Sequence, residues 1–155
     1  YDLISSNISI LKNINSNILI KVIGKNETFI NCDLEQINRV FFNLIKNSIE
    51  SIQQKAENTN DFNKKITIEI EGSDDHISIV ILDNGVGFDI FKKNIKDILN
   101  PYFTTKKNGT GLGLSIVNKI INDHNGKINF IPINNGAKVK IIFFINDSRN
   151  FNSWR

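Results

Sequence analysis

Two neighbouring apolar runs in the middle of the chain constrain its fold most. "ITIEIEG" (66–72) and "HISIVILD" (76–83) are separated only by Ser73–Asp75. The first alternates apolar and polar residues, the period of a strand with one buried face. The second is more apolar, so it is predicted to lie centrally in a sheet. A helical period precedes this pair and another follows it. A second strand pair then reads as "KINFIP" (127–132) and "AKVKIIFFI" (137–145), around a hairpin turn at Asn134–Gly136. Strands grouped in pairs with helices between them predict an α+β two-layer sandwich. Its sheet is mixed and mostly antiparallel, with helices on one face; a doubly wound parallel sheet is disfavoured.

The first helix is predicted to start at Asp33, an N-cap type with Gln36 three residues on. Leu34, Ile37, Phe41, Leu44, Ile45, Ser48, Ile49 and Ile52 recur at helical spacing, with one small residue among them. The period fades near Lys55–Asn58, and the polar residues 56–65 read as a loop. Upstream, residues 17–24 and 27–32 read as two strands about a Gly24–Asn26 turn. Ile4, Ile8 and Leu11 fit the end of a helix. Residues 88–108 carry helical spacing at Phe91, Ile95, Ile98 and Leu99. A second helix is predicted over 112–124, with Leu114, Val117, Ile120 and Ile121 on one side and Gly126 as its C-terminal cap. The chain opens on Tyr1 rather than Met, so residues 1–16 are expected to be the remnant of an upstream helical linker. Residues 17–146 are expected to form the domain, and 147–155 a loose tail.

Composition narrows the function classes. The formal charge is +3, from 19 basic and 16 acidic side chains, with the lysines scattered. That balance argues against a nucleic-acid binder. Cys32 is the only cysteine, which excludes an internal disulfide framework and a cysteine zinc site. No apolar run reaches the roughly 18 residues needed to span a bilayer. Asn and Ile are heavily used, yet regular apolar patterning runs through the asparagines, so they do not form a prion-like tract.

Several short stretches carry chemistry. In "NLIKN" (43–47), Asn43 and Asn47 are four apart on a helix and share a face. Carboxamide oxygens are suitable neutral ligands for Mg²⁺, although chance also produces such a pair in an asparagine-rich chain. Asp83 ends an apolar strand and begins "DNGVGF" (83–88). A carboxylate there can accept a hydrogen bond from an amino group such as that of adenine. Gly85 and Gly87 would let the backbone approach a flat ring. A plain turn after a strand is the other reading. "GTGLGL" (109–114) opens the second helix, where Gly109, Gly111 and Gly113 let backbone N–H groups converge on an anion. Its glycine spacing fits neither a dinucleotide fingerprint nor a P-loop. Between the two glycine stretches, "PYFTTKKN" (101–108) sets hydroxyls and cations at Thr104, Thr105, Lys106 and Lys107. A connection of roughly 20 residues is long enough to be a functional lid. His76 and His124 have no triad or ligand pattern around them and read as structural; a cation at His124 would suit the helix dipole.

The stretches "NLIKNSIES", "DNGVGF", "PYFTTK" and "GTGLGLSIV", in this order and at these intervals, resemble the asparagine, first glycine, phenylalanine and second glycine boxes of the GHKL superfamily. The resemblance covers about residues 18–145 and implies the Bergerat ATP-binding fold. Within the superfamily the chain resembles the catalytic domain of bacterial sensor histidine kinases. The stretch "ILNPYFTTKKNGTGLGLSIVNKIINDHNGKINF" is especially similar to the NtrY-type nitrogen-regulation kinases. The resemblance implies that Asn47 holds Mg²⁺ and Asp83 recognises adenine, with Gly85 and Gly87 flanking its pocket. It further implies that Phe103, Thr104, Thr105, Lys106, Gly109, Thr110, Gly111, Leu112, Gly113 and Leu114 lie along the bound ATP. Residues 88–110 would form a mobile lid.

Departures sharpen the expectation. GHKL ATPases and anti-sigma serine kinases usually carry Glu at the position of Asn43. An amide cannot act as a general base at neutral pH, whereas an imidazole nucleophile already offers a lone pair. Glu50 and Ser51 stand where many sensor kinases have a Lys-Tyr pair. The resemblance therefore implies γ-phosphoryl transfer to a histidine on an upstream dimerisation domain, then to a response regulator. The full protein would be a homodimer anchored in the inner membrane, with this domain in the cytoplasm. The alternatives are a free-standing serine kinase of anti-sigma type and a nucleotide-sensing module without catalysis.

Overall fold

The computed structural model describes residues 4, 8, 17–24, 30–59, 61–88, 95–104 and 109–145. Five strands form one sheet: β1 (Leu19–Ile23), β2 (Lys65–Gly72), β3 (His76–Asp83), β4 (Gly126–Pro132) and β5 (Ala137–Phe144). Their order is β1-β2-β3-β5-β4. The β1–β2 pair is parallel and the other three pairs are antiparallel. The mixed, mostly antiparallel sheet and the central place of 76–83 are as expected. Alternation explains the layering. Ile66 and Ile68 of β2, Ile77, Ile79 and Ile81 of β3, and Val139, Ile141 and Phe143 of β5 are all buried. The registers place them on one face.

Two helices cover that face: α1 (Leu34–Ala56) and α2 (Gly113–Asp123). Asp33 caps α1 as its type predicts, accepting from the Glu35 and Gln36 backbone N–H groups. The α1 residues Ile37, Val40, Phe41, Leu44, Ile45, Ser48, Ile49 and Ile52 are buried, and Val117, Ile120 and Ile121 do the same for α2. Together with the strand residues they make one core, which Ile4, Ile8, Ile18 and Ile20 extend. Fully burying an aliphatic side chain contributes roughly 1.5–3 kcal/mol, so this stripe holds the two layers together. Leu34 departs from the pattern: it stands in the first turn and is 60% exposed.

Three local expectations change. The strand read over 27–32 is not formed at Ile30–Cys32, and 25–29 lie outside the described residues. The next residue, Asp33, gives its backbone N–H to His124 Nε2 instead of to a sheet ladder. Of the helical spacing in 88–108, the described residues form only a 3-10 turn, Ile95–Leu99. The second helix ends through Asn125, which takes the left-handed conformation at φ +53°. Gly126 has already entered β4, where a side-chain carbon would meet Ile121 and the Ile142 carbonyl oxygen at 2.9 Å. The tail from residue 146 lies outside the described residues.

Candidate functional site

Asp83 is the last residue of β3, and its side chain is only 8% exposed. Its register partner is Ala137, at the start of β5. Gly85 donates its backbone N–H to Asp83 Oδ1 at 3.0 Å. Ser48, from α1, and the Ala137 backbone also hydrogen-bond Asp83. Burial raises the Asp83 pKa above the ordinary carboxylate value; these hydrogen bonds and Lys55 oppose the rise without cancelling it.

The loop after Asp83 lies directly on α1. A side-chain carbon at Gly85 would stand 2.5 Å from the Ser51 carbonyl carbon and 2.7 Å from the Ile52 nitrogen. Val86 donates its N–H to Ser51 O at 3.3 Å. Only a residue without Cβ fits there. The glycines beyond it serve the same close packing: at Gly136 (φ +110°), a side-chain carbon would overlap the Asp83 carbonyl oxygen. Phe88 anchors the end of the loop edge-to-face on Phe130 of β4, with ring centroids 5.7 Å apart.

Sequence reasoning missed a polar brace behind this loop. Asn84 Oδ1 accepts from the Lys65 N–H at 2.9 Å, and its Nδ2 donates to Asn63 O at 2.6 Å. Lys55 Nζ donates to Asn84 O at 2.9 Å and to Asn135 Oδ1 at 2.5 Å, and it sits 4.8 Å from the Phe62 ring centroid. The sequence signal for Ser48 was visible as the one small residue in the apolar stripe of α1. Lys55, Asn84 and Asn135 left none, because their partners are distant in the chain.

The second glycine stretch meets α1 about two turns earlier. Asn43 Nδ2 donates to Arg39 O at 2.7 Å, and its Oδ1 lies beside Gly113 of α2. A side-chain carbon on Gly113 would come within 3.1 Å of that oxygen. Asn43, Asn47 and Ser51 succeed one another at intervals of four residues on α1. From Asn43 to Ser51 is about 12 Å along the axis at the usual rise. The two glycine stretches thus meet the same helix at its Asn43 and Ser51 positions, with Asn47 half-buried between them. Among the described residues, no side chain caps the first N–H groups of α2, an arrangement open to an anion.

Gly111 (φ +68°) leaves no room for a side chain against the Tyr102 carbonyl and the Phe103 nitrogen. Tyr102 itself is left-handed at φ +66°, so Phe103 and Gly111 stand side by side. Phe103, Thr104, Gly109, Thr110, Leu112 and Leu114 are described as partly buried or exposed; Thr105, Lys106 and Lys107 lie outside the described residues. Among the described residues, no three His, Cys, Asp or Glu side chains cluster as a metal site. A cation here would have amide oxygens and a ligand's own oxygens, which suits Mg²⁺.

The family pattern described as "Histidine kinase-, DNA gyrase B-, and HSP90-like ATPase" matches residues 32–148. The chain belongs to this family. It is 38% identical over 116 residues to an NtrY-like sensor histidine kinase of Rickettsia felis, across 74% of this chain and 18% of that protein. It is 37% identical over 123 residues to the histidine-protein kinase AtoS of Escherichia coli, across 78% of this chain and 19% of the relative. The chain therefore spans about a fifth of the length of these relatives. The solved catalytic domain of the histidine kinase ThkA superposes with a TM-score of 0.77 at 30% identity, covering 93% of this chain and 92% of that one. The chain is thus an ATP-binding catalytic domain of the sensor histidine kinase type, a phosphotransferase class. Both histidines make hydrogen-bonding contacts. The His76 ring lies 2.7 Å from Asp75 Oδ1 and 2.9 Å from Ser73 Oγ. His124 binds backbone with both nitrogens. No helix among the described residues is long and apolar enough to cross a membrane.

Proposed function

We propose that this histidine kinase domain binds Mg-ATP along α1, between its two glycine stretches, and that the full protein passes the γ-phosphoryl group to a histidine outside residues 17–146. Asp83 accepts a hydrogen bond from the adenine amino group, with its orientation set by Gly85 N–H and Ser48. Gly85 and Gly87 let the loop sit close on α1 and on Gly136, and the ring lies beside that loop. The N–H groups of Gly109, Thr110, Gly111, Leu112, Gly113 and Leu114 face the phosphates, beside Phe103 and Thr104 and, in the lid segment, Thr105 and Lys106. Asn47 holds Mg²⁺, which neutralises phosphate charge. Asn43 orients the phosphate end without removing a proton.

The observation that carries this reading is the arrangement along α1: a buried carboxylate near Ser48 and Ser51, a glycine-rich helix start against Asn43, and Asn47 between them. In the full protein the phosphoryl group would leave ADP and form a bond to an imidazole nitrogen, largely by positioning and charge neutralisation. That histidine belongs to an upstream dimerisation domain, and a response regulator aspartate accepts the group next. A membrane-anchored homodimer with this domain on the cytoplasmic side is part of the same proposal.

The test is calorimetric titration with ATP, with and without Mg²⁺, beside GTP. Binding of ATP over GTP, strengthened by Mg²⁺, is expected; equal binding of both nucleotides removes the adenine assignment. Phosphorylation of a histidine-bearing helical fragment, and not of a serine-bearing antagonist, is expected from the full enzyme.

A further inference from the structure

His124 follows the last residue of α2 and reaches across to the start of α1. Its Nδ1 lies 2.8 Å from Ile120 O, and its Nε2 lies 3.0 Å from the Asp33 backbone nitrogen. A carbonyl can only accept and a backbone N–H can only donate. The ring is therefore neutral, with its hydrogen on Nδ1 and its lone pair on Nε2. Asp33 is also the residue whose carboxylate caps α1, through Glu35 N at 3.0 Å and Gln36 N at 3.1 Å. The two helix ends are joined through one residue on each.

At the other end of the same helix pair, Gly113 packs on Asn43. Asp33 to Asn43 is about 15 Å along α1, and Gly113 to His124 about 16 Å along α2, at the usual rise. The helices thus run antiparallel and are pinned at both ends of their contact. The base end of the proposed nucleotide site depends on different parts: Asp83, Gly85, Ser48 and Ser51 come from α1, β3 and the loop between β3 and α2.

We propose that His124 is a positioning residue for the phosphate end of the nucleotide site: its bond to Asp33 sets how far α2 slides along α1, and so where Gly109–Gly113 stand relative to Asn43 and Asn47. This rests on the nucleotide reading above. Losing the bond shifts the glycine stretch and leaves the base end in place.

Calorimetry with Mg-ATP and with adenosine separates the two ends. In the unsubstituted chain Mg-ATP binds more tightly than adenosine; if it does not, the nucleotide reading itself fails. His124→Leu is expected to weaken Mg-ATP about three- to tenfold, the scale of one net hydrogen bond, with adenosine unchanged. His124→Gln, which restores an acceptor for the Asp33 N–H, is expected to recover the loss. An unchanged Mg-ATP to adenosine ratio in His124→Leu, or a Gln variant as weak as the Leu variant, overturns the proposal. Hydrogen exchange in the unsubstituted chain gives a reading even if His124→Leu does not fold. Coupling is reciprocal, so Mg-ATP should slow exchange of the Asp33 amide and adenosine should not. Equal protection by both overturns the proposal.

Discussion

Replacing Asp83 with Asn should move binding and stability in opposite directions. The carboxylate is 8% exposed and accepts from Gly85 N–H at 3.0 Å. An amide in the same place would turn either a donor toward the adenine amino group or a donor toward Gly85 N–H. Gly85 N–H holds the amide oxygen, so the donor faces the adenine amino group and one charge-assisted hydrogen bond to the base is lost, on the order of 1.5–3 kcal/mol. That converts to roughly 10- to 150-fold weaker ATP binding. Stability should respond the other way. Burial raises the folded-state pKa of Asp83, so the folded chain binds this proton more tightly than the unfolded chain does. The associated stability is full below the unfolded value and is lost as pH rises through the raised folded one. At neutral pH the wild-type domain therefore carries a buried charge that Asp83→Asn relieves. The variant should melt higher than wild type at pH 7, and the gap should close as pH falls through that window. Calorimetric ATP titration and thermal melts at several pH values test both halves. Unchanged ATP affinity, or a stability gap that widens on acidification, would refute the reasoning.

Three other substitutions test the packing around the base loop. Among the described residues, Ser51 Oγ is buried without a hydrogen-bond partner, so Ser51→Ala should stabilise the domain by about 1 kcal/mol in urea unfolding; a loss of that size would mean the hydroxyl has a role. Gly136→Ala puts a carbon onto the Asp83 carbonyl oxygen at φ +110°, and should cost more than about 2 kcal/mol through strain and overpacking together, read as a fall in melting temperature. Lys55→Met removes the bonds to Asn84 O and Asn135 Oδ1; about 1–3 kcal/mol of stability should go, and ATP affinity should fall with it as the base loop loosens.

The sheet and both long helices were legible in the sequence because their signals are local and periodic. Asp33 announces α1 by its side-chain chemistry, and the apolar stripe from Ile37 to Ile52 can only be a helix face. The alternation in 66–72 and the apolar run 76–83 likewise announce strands and even rank the second as central. Local reading failed where a distant contact decides. Ile30–Cys32 looks like a strand, but the next residue is tied to His124, 91 positions away. Gly126 looks like a helix cap, but β4 needs its missing side chain, and Asn125 takes the turn.

The candidate site divides in the same way. Composition and spacing by themselves determined that this chain carries two glycine turns, an asparagine pair and a strand-end carboxylate, since each is a short run of residues. Only the tertiary structure decided that both turns lie along α1, that Ser48, Lys55 and Asn84 hold the base loop, and that His124 joins the helix ends. Those facts are contacts between residues 19 to 91 positions apart, made by packing a common core. No period or spacing along the chain encodes them, because the hydrophobic burial that brings these residues together is indifferent to the polar atoms it aligns.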